Sequence, residues 1–573
     1  MASMNVNGQD LNIKTGQTIL EACESHGIEI PTLCHIKELL PSGACRMCVV
    51  EVEGAHNLVP SCSFPAGEGM VIRTHSERAL QARKTIIELL QTNHPDDCLY
   101  CVRSGSCDLQ SLSQDYGVRE RRFANNAPEQ HLDVSSPSLE RDPAKCILCG
   151  KCVRTCEEIM GIAAIDFAGR GSNATVCPPF NAGLNVSNCI ACGQCVTACP
   201  TGALRESSSL KQVMSALKDP NKTVVVQHAP AVSVSLAEEF GLKPGIDVNG
   251  IMVTALRRLG FSFVFDTSFS ADVTIMEEAS ELVHRVTNKG PLPMFTSCSP
   301  GWIKYMEQSH PDMLGHLSSC KSPQQMMGAL VKNIFAKEQG IDAKEIYSVS
   351  VMPCTAKKFE AQRPEMGNGV GPDIDAVLTT RELARLIRAH GIAFDKLKPE
   401  VADTPFGERS GAGKIFGSTG GVMEAALRTA HHMITGNELD DLSLKAVRGF
   451  DGVREAKIDV GGLEVGVAVV SGVKHADALI QQIKEGRDDL HFIEVMTCPG
   501  GCINGGGQPI HHDPARVKAR AAALYKIDEG APVRVSHENP HVKALYEEHL
   551  GEPLGERSHH LLHTSYEKRE LSY

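Results

Sequence analysis

The sequence lacks the features that would place it in a membrane or on a nucleic acid. No apolar run approaches the ~20 residues that cross a bilayer. The N-terminal segment MASMNVNGQDLNIKTG has neither the basic start nor the apolar stretch of a signal peptide. Long basic runs are also missing, and the formal net charge of the 573 residues is −12. We therefore expect a cytoplasmic protein that binds neither membrane nor nucleic acid.

Cysteine, in contrast, is abundant and unevenly placed. The chain has 22 cysteines, and 17 of them lie in the first 199 residues. In a reducing cytoplasm this density indicates metal sites rather than disulfides. The hydrophobic content of 42% allows several packed cores, and the length suggests roughly three to five domains. The distribution predicts a metal-rich N-terminal part followed by a larger, separate C-terminal part.

The first cysteine motif predicts a [2Fe–2S] cluster. Alternating residues around Asn7-Gly8 predict a β-hairpin, and a helix is expected near 19–23. A Cys-x2-Cys pair with two outlying cysteines then suits a [2Fe–2S] cluster, although ten residues rather than the plant-type four precede the pair. A zinc site is the alternative. The four candidate ligands are Cys34, Cys45, Cys48 and Cys62.

The second motif combines one imidazole with three thiolates in the order His-x3-Cys-x2-Cys-x5-Cys. Taken alone, this motif could bind structural zinc. Together with its neighbours it resembles the His-ligated [4Fe–4S] site of [FeFe]-hydrogenases and of the large cluster-bearing subunit of respiratory complex I. The candidate ligands are His94, Cys98, Cys101 and Cys107.

The third motif is a doubled Cys-x2-Cys-x2-Cys-x3-Cys run, the pattern of bacterial two-cluster ferredoxins. In this pattern the fourth cysteine of each run ligates the other cluster. Eight thiolates in interleaved runs fit two cubanes better than tetrahedral zinc. One [2Fe–2S] and three [4Fe–4S] clusters would relay electrons without acting on a substrate. The predicted sets are Cys146, Cys149, Cys152 and Cys199, and Cys189, Cys192, Cys195 and Cys156.

The C-terminal part alternates short β-branched runs with helical stretches, which predicts parallel sheets with crossover helices. A capping box begins a helix at Thr379. Three cysteine motifs follow predicted strands: TSCSPGW from Thr296, MPC from Met352 and MTCPGGCINGGG from Met496. Since ligands of open α/β sheets bind beyond the carboxyl ends of the strands, these motifs can converge on one site.

These motifs carry a specific family resemblance. MPCTAKKFE and EVMTCPGGCINGGGQP look like the second and third signature motifs of [FeFe]-hydrogenases, and TSCSPGW looks like the first. The resemblance covers essentially the whole chain and is particularly close to the monomeric clostridial type and to the catalytic subunits of the NADP-reducing type. It implies an α/β multidomain protein that interconverts protons, electrons and H2. The implied domains are a β-grasp [2Fe–2S] ferredoxin domain (1–79), a small His/Cys cluster domain (80–126), a two-cluster bacterial ferredoxin-like domain (127–209) and a large α/β catalytic domain (210–573).

The resemblance implies an H-cluster, a cubane joined through a cysteine to a di-iron unit with CO, cyanide and azadithiolate ligands. Cys354 and Cys498 would ligate the cubane, and Cys502 would bridge it to the di-iron unit. A lysine ammonium suits an anionic cyanide acceptor, although Lys357 taken alone would be a surface lysine. The residues implied around the di-iron unit are Lys357, Pro230, Ala231, Gln324, Met352, Met496 and Phe416.

A proton route is implied as well. In the family a cysteine beside the di-iron unit passes protons to acidic and hydroxyl side chains that lead outward. A thiol with a reference pKa of ~8.5 can serve as such a relay. Without the resemblance, Glu278 and Glu281 would be interpreted as a solvated helix face. The matching positions are Cys298, Glu278, Ser318, Glu281 and Arg285.

One position departs from the family pattern. The first motif normally has two adjacent cysteines, a proton relay and a cubane ligand, but Ser299 stands at the second position. A serine alkoxide is a harder ligand than a thiolate. Ser299 could ligate, Cys298 could turn inward, or the cubane could keep three protein ligands. We hypothesise that Ser299 occupies the ligand position, which leaves an H2-sensing or low-activity protein as an alternative function.

Two other protein classes compete with this interpretation. A complex-I-like electron-input subunit explains residues 1–209 but not the motifs at Cys354 and Cys498. Iron–sulfur assembly factors of the hydrogenase type lack the long N-terminal relay. The expected partners are ferredoxin or a similar carrier, a flavin diaphorase subunit and the hydrogenase maturases.

The remaining motifs are interpreted structurally. The cluster of Arg119, Arg121 and Arg122 could dock an acidic electron carrier or form a solvated face. The pair Gly413-Lys414 does not form a phosphate loop, because Ile415 follows it where such a loop requires serine or threonine. The cysteines expected to be structural are Cys23, Cys177 and Cys320.

Overall fold

The computed structural model describes residues 2–125, 130–367, 369, 371–460, 462–510 and 513–571. Within these ranges, every helix is too short or too polar to cross a membrane. The predicted domain boundary between residues 126 and 127 lies outside the described residues.

The N-terminal unit is a five-stranded β-grasp sheet. The predicted hairpin at Asn7-Gly8 is confirmed, since Ser3–Val6 pairs antiparallel with Gln9–Asn12. The first helix, Ile19–Ser25, begins with a capping box between Thr18 and Glu21. The remaining strands of the sheet are Val49–Val52, Val59–Pro60 and Val71–Arg73.

The next two units are built of short elements around cysteine loops. Helices Glu77–Thr92 and Asp108–Asp115 enclose the second motif. Two antiparallel pairs and two short helices then frame the doubled motif, which leaves most of its cysteines on loops. The pairs are Leu139–Arg141 with Leu204–Glu206 and Asp166–Ala168 with Thr175–Cys177, and the helices are Lys151–Arg154 and Gln194–Ala198.

The C-terminal part contains two four-stranded sheets. In the first sheet all four strands are parallel, which confirms the predicted crossover topology. In the second sheet three strands are parallel and one edge strand is antiparallel. In spatial order the first sheet consists of Phe263–Asp266, Thr223–His228, Ile346–Met352 and Ala376–Thr379, and the second of Met294–Phe295, Phe492–Met496, Leu463–Ser471 and Val453–Val460.

Helices cover both sheets and the space between them. The long helix Thr267–Thr287 is almost entirely buried and packs against helices on both sides of it. The predicted capping box at Thr379 is confirmed, because its hydroxyl accepts from Glu382 N. The other α-helices of the C-terminal part are Leu210–Ala216, Pro230–Ser233, Asn249–Leu259, Pro300–Ser309, Pro323–Leu330, Ala336–Glu338, Ala356–Glu360, Thr380–Ala389, Gly411–Ile415, Gly421–Thr435, Lys474–Lys484, Pro514–Glu529, Pro540–Leu545 and Glu556–Leu562.

A buried ion triplet joins distant segments of this part. Glu307 is fully buried and accepts two bonds from Arg363, at 2.6 and 3.0 Å. Arg569, near the C-terminal end of the described chain, donates to the same carboxylate at 2.5 Å. Arg363 also lies 2.5 Å from Glu365, whose side chain is more exposed, so Glu307 is the fully buried anion on which this group of charges depends.

We predict that Glu307→Ala destabilises the catalytic part by up to ~3–5 kcal/mol, because it removes the fully buried carboxylate that Arg363 and Arg569 share and leaves Arg363 only the more exposed Glu365. The only tryptophan, Trp302, lies on the same helix, so its fluorescence during denaturant unfolding can report the change. Glu455→Ala removes a more exposed carboxylate from Arg487 and should cost at most ~1 kcal/mol. Equal losses in the two variants would contradict the prediction.

Candidate iron–sulfur relay and catalytic site

The three C-terminal cysteine motifs converge beyond the carboxyl ends of strands from both sheets. Cys354 follows Ile346–Met352, while Cys498 and Cys502 follow Phe492–Met496. Burial raises the pKa of Cys498 and of Cys502 to about 12, and the nearby Cys354 thiol adds to both shifts. The three sulfurs are therefore neighbours. Thiols with such pKa values lose their protons at neutral pH when a bound cation stabilises the thiolates.

Glycines allow the motifs to approach each other closely. A Cβ atom at Gly505 would lie 2.3 Å from the carbonyl oxygen of Pro353, so the third motif packs directly against the second. Gly501 has φ +92°, and a Cβ there would lie 2.7 Å from Thr419 N. A larger residue at Gly505 would push the second and third motifs apart, and one at Gly501 would push the third motif away from Thr419.

The donor set fits an iron–sulfur cofactor. Cys354, Cys498 and Cys502 are free thiols in a largely buried setting, where soft sulfur ligands suit an iron–sulfur cubane. Burial raises the pKa of both Cys354 and Cys502, and the positive charge of Lys357 beside them offsets part of this rise. An anionic cluster is thus compensated from the protein side.

Ser299 lies at the same site. It caps the N-terminal end of helix Pro300–Ser309, and its Oγ lies 2.7 Å from Thr497 Oγ1. Thr497 directly precedes Cys498, and its backbone N–H also donates to Ser299 Oγ at 3.4 Å. The structure thus brings Ser299 to the third motif, where its hydroxyl is engaged with a threonine that sequence reasoning missed.

Lys357 is held between two motifs. Its Nζ lies 2.9 Å from Glu360 Oε2 and donates to the carbonyl oxygen of Cys298 at 3.1 Å. Gln324 Nε2 donates to the same Glu360 oxygen at 3.0 Å. Lys357 is buried, so its interpretation as a surface lysine is wrong. Glu360, which the sequence analysis did not single out, orients both side chains.

The other predicted residues line the same region from different elements. Pro230 and Ala231 begin a short helix after strand Thr223–His228. Gln508 Nε2 donates to the carbonyl oxygens of Ala231 (3.3 Å) and Cys502 (3.2 Å), which links that helix to the third motif.

Two apolar clusters contain the remaining predicted residues. Met496 and Phe416 are buried in a cluster against which Cys298 packs. Met352, at the end of its strand, belongs instead to the core of the first sheet.

The predicted proton-route residues form a buried series on helix Thr267–Thr287 and its neighbours. Glu278 is fully buried, and neither carboxylate oxygen has a hydrogen-bond partner among the described residues. Burial, and then the nearby Glu281, raise the pKa of Glu278 to about 8. Burial and the Glu278 carboxyl in turn raise the pKa of the Cys298 thiol. The solvated-face interpretation of this helix is therefore wrong.

The outer half of the series is hydrogen-bonded. Ser318 Oγ donates to Glu281 Oε2 at 2.8 Å, and Arg285 Nη2 donates to Glu281 Oε1 at 2.6 Å. Arg285 also donates to the carbonyl oxygen of Leu317 at 2.7 Å. Glu281 thus accepts from the hydroxyl on one side and from the guanidinium on the other.

The four cysteines of the first motif lie together. A hydrogen bond from Cys45 lowers the pKa of Cys34 to about 5, and one from Cys62 lowers the pKa of Cys48 to about 6. The charge of Cys34 also acts on Cys48, which places the two pairs side by side.

The second motif is the most open of the relay. Cys98 is exposed, Cys101 is half-buried, and Cys107 is buried with its pKa raised by burial. Burial lowers the pKa of His94, whose Nδ1 is buried without a hydrogen-bond partner in the described part of the chain. A neutral imidazole with an unpaired nitrogen fits a metal ligand.

The doubled motif is interleaved as its pattern predicts. After burial, the strongest influences that raise the pKa of Cys152 come from Cys199, Cys149 and Cys146. For Cys195 they come from Cys192, Cys189 and Cys156. Each set therefore combines three cysteines of one run with the last cysteine of the other.

The second of these sets adjoins the catalytic motifs. Thr355 Oγ1 donates to the carbonyl oxygen of Ala191 at 2.7 Å, and Gln194 Nε2 donates to that of Asn504 at 2.8 Å. A Cβ at Gly506 would lie 2.1 Å from the carbonyl oxygen of Cys192. This close contact places the two cysteine sites directly side by side.

The first set adjoins the second motif in the same way. Asp108 N donates to the carbonyl oxygen of Pro200 at 3.0 Å, and a Cβ at Gly202 would lie 2.7 Å from Cys101 Sγ. The packed group that contains Met47 and Cys107, with Cys45 against it, extends the contact to the first motif. The motifs thus form a continuous series.

The residues expected to be structural behave accordingly. Cys23, Cys177 and Cys320 are buried. Lys414 is buried and pairs with Asp266 at 3.1 Å.

The basic cluster is partly paired within the chain. Arg121 lies 2.6 Å from Asp96, and Arg122 pairs with Glu88. These ion pairs neutralise part of the positive charge that an acidic electron carrier would otherwise contact.

Comparisons with known proteins agree along the whole chain. The family model described as the C-terminal domain of the iron-only hydrogenase large subunit matches residues 222–506, and the iron hydrogenase small subunit matches 514–569. The N-terminal matches are a 2Fe-2S iron-sulfur cluster binding domain (1–77), the NADH-ubiquinone oxidoreductase-G iron-sulfur binding region (83–122) and a 4Fe-4S dicluster domain (145–203).

Two curated relatives match over nearly their full length. The NADP-reducing hydrogenase subunit HndD of Solidesulfovibrio fructosivorans is 47% identical over 100% of this chain and 99% of its own. Iron hydrogenase 1 of Clostridium pasteurianum is 42% identical over 99% of this chain and 100% of its own. A solved structure of apo [FeFe]-hydrogenase HydA1 from Chlamydomonas reinhardtii, in a single-residue variant, superposes with a TM-score of 0.58 at 44% identity, covering 64% of this chain and 100% of that one.

The chain belongs to the iron-only, or [FeFe], hydrogenase family. It is an oxidoreductase acting on hydrogen, with accessory iron–sulfur domains in front of its catalytic part. Cytosolic iron-sulfur assembly component 3 of Bos taurus also matches, at 33% identity, but it covers only 62% of this chain, whereas the two hydrogenase relatives cover 100% and 99% of it. The second domain shares a family with the complex I subunit.

We predict that the Glu278 carboxyl makes the protein less stable as the pH rises from about 4.5 to about 8. Over this window the native state keeps a proton that the unfolded state has released, so unfolding is increasingly favoured. Glu278→Gln should lose this component, as denaturant unfolding at both ends of the window would measure. An identical pH dependence in parent and variant would refute the assignment.

Proposed function

We propose that this chain catalyses the reversible reaction of two protons and two electrons to H2 at an H-cluster held by Cys354, Cys498 and Cys502. The observation that carries the proposal is the convergence of these buried thiols against the interleaved cluster site of Cys192. The bound cofactor would supply hydrogen formation and cleavage at a di-iron unit with CO, cyanide and azadithiolate ligands.

The surrounding residues would orient the cofactor and keep water away. Lys357, fixed by Glu360, presents a cation that suits an anionic cyanide. Met496 and Phe416 supply an apolar wall next to Cys298. The remaining cofactor-facing residues in this proposal are Pro230, Ala231, Gln324 and Met352.

We propose that protons move along Cys298, Glu278, Ser318, Glu281 and Arg285. Glu278, with a pKa of about 8, can take and release a proton near neutral pH. Ser318 can pass a proton to Glu281 through the hydrogen bond that it already makes. Arg285 holds Glu281 in place at the outer end of the series.

We propose one [2Fe–2S] and three [4Fe–4S] accessory clusters on the four cysteine sets, with domains at 1–79, 80–126, 127–209 and 210–573. The exposed Cys98 and half-buried Cys45 support a position near the surface for two clusters, where an external carrier can exchange electrons. Ferredoxin is the proposed carrier, and the likeness to an NADP-reducing hydrogenase subunit supports a flavin diaphorase partner. Hydrogenase maturases would insert the di-iron unit, in a cytoplasm that keeps the 22 cysteines reduced.

Infrared spectroscopy tests this function directly. Protein expressed with the hydrogenase maturases should show CO and cyanide bands and evolve H2 from a reduced electron carrier. Cys502→Ala should lose the bands and the activity, because the bridging thiolate is gone. Cys177→Ala, which removes a buried cysteine outside the cluster motifs, should keep both. A matured parent protein with intact accessory clusters but neither the bands nor the activity would refute the proposal.

We propose that Ser299 takes the ligand position that a cysteine holds elsewhere in the family. Its contact with Thr497, next to Cys498, supports this placement. A hard alkoxide or a missing ligand alters the cubane potential. This feature also favours the second candidate function, a hydrogen sensor with low turnover.

Ser299→Cys should therefore shift the cubane redox potential, its EPR spectrum and the turnover rate, because a thiolate replaces the hydroxyl. Thr497→Ser keeps the hydroxyl next to position 299 and should leave all three close to those of the parent. If Ser299→Cys matches the parent in all three measurements, Ser299 is not at the ligand position. Turnover that stays low in the parent but rises in Ser299→Cys would favour the sensor.

A further inference from the structure

A group of metal-binding side chains lies away from the iron–sulfur motifs. His432 is in the last turn of helix Gly421–Thr435, Glu438 follows in the next loop, and His537 is in the single turn Ser536–Glu538. One nitrogen of each histidine and one carboxylate oxygen all lie within 4.8 Å of one another.

Both rings approach the same carboxylate oxygen. Glu438 Oε1 lies 2.7 Å from His432 Nδ1 and 2.9 Å from His537 Nε2. The two rings stack with centroids 4.2 Å apart and planes inclined by 18°. Two imidazole nitrogens and an oxygen are thereby gathered on one side of the stacked pair.

Ordinary hydrogen bonding explains only half of this arrangement. The contact from His537 satisfies hydrogen-bond geometry. His432 Nδ1 is buried and lacks a properly directed hydrogen bond despite lying 2.7 Å from the carboxylate. A buried polar atom without a directed partner is costly, and a cation bound by both the nitrogen and the oxygen would relieve it.

The buried histidine is also oriented from behind. His537 Nδ1 lies 3.1 Å from Thr429 Oγ1, on the helix that carries His432. Metal-bound histidines commonly have their second nitrogen fixed in this way, which holds the ring at a set angle.

We propose that His432, Glu438 and His537 bind a divalent zinc ion with one open position for water. Two imidazoles and one carboxylate are a common zinc donor set, with bonds of about 2.0–2.2 Å. The side chains of Glu438 and His432 are 39% and 40% exposed, so an ion can reach the site from solvent. His537, which is buried, forms the inner wall.

The position of the site gives the ion a structural role. His432 and Glu438 lie in the segment that matches the hydrogenase large subunit, and His537 in the segment that matches the small subunit. An ion held by both segments therefore clips them together. It is expected to raise the unfolding temperature of the catalytic part without entering the hydrogen reaction.

Zinc binding to the intact protein tests the proposal. Purified protein with its iron–sulfur clusters in place is equilibrated anaerobically with Zn²⁺, desalted and analysed for zinc and iron. The parent should retain one zinc per chain, and its zinc absorption edge should show nitrogen and oxygen neighbours at about 2.0–2.1 Å. Zinc should also raise its thermal midpoint.

Matched variants separate this site from the cysteine motifs. Glu438→Gln and His537→Gln should each weaken zinc binding at least ~10-fold and abolish the thermal shift, with iron content and hydrogenase activity unchanged. His431→Ala removes the adjacent histidine, whose ring contacts the carbonyl oxygen of Asn437 instead, and should bind zinc like the parent. No zinc in the parent, equal zinc in all variants, or sulfur neighbours at about 2.3 Å would each overturn the proposal.

Discussion

The structure depends on holding three sulfur ligands close together in a buried place. Thiols in such a place resist ionisation, as the raised pKa values of Cys498 and Cys502 show. A bound cluster reverses this preference, because its iron stabilises the thiolates. The protein contributes position: strands of two sheets end at one point, and glycines such as Gly505 let the connecting loops touch. The buried Lys357 places a positive charge beside these thiols.

The same constraint explains how the accessory domains attach. A relay functions only if its sites approach closely, so the loops that carry the cysteines are also the contact surfaces between domains. Gly506 touches Cys192, and Gln194 reaches the carbonyl oxygen of Asn504. The buried ion pairs of Glu206 with Arg381 and Arg385 reinforce this junction on its outer side. The residues that pack these domains together therefore belong to the same loops as the cysteine motifs.

Protons require a different environment from electrons. Glu278 has no hydrogen-bond partner among the described residues, and burial brings its pKa close to neutral. Such a group is unfavourable for stability, since an unpaired buried carboxyl costs free energy. Its neighbour Glu281, in contrast, accepts hydrogen bonds from both Ser318 and Arg285. The contrast along one helix is consistent with a step at which a proton is taken up and released.

The sequence alone determined which chemistry the chain carries. Cysteine spacing is set by local geometry, so the doubled motif at Cys146 and Cys189 indicated two cubanes, and periodicity indicated parallel α/β sheets. Only the tertiary structure decided which side chains lie beside these motifs. Thr497 next to Ser299, Glu360 behind Lys357 and the His432 cluster join residues far apart in sequence or without a local signature. Burial also excludes the solvated helix face that Glu278 would suggest without the family resemblance, because helix periodicity does not reveal a helix covered on every side.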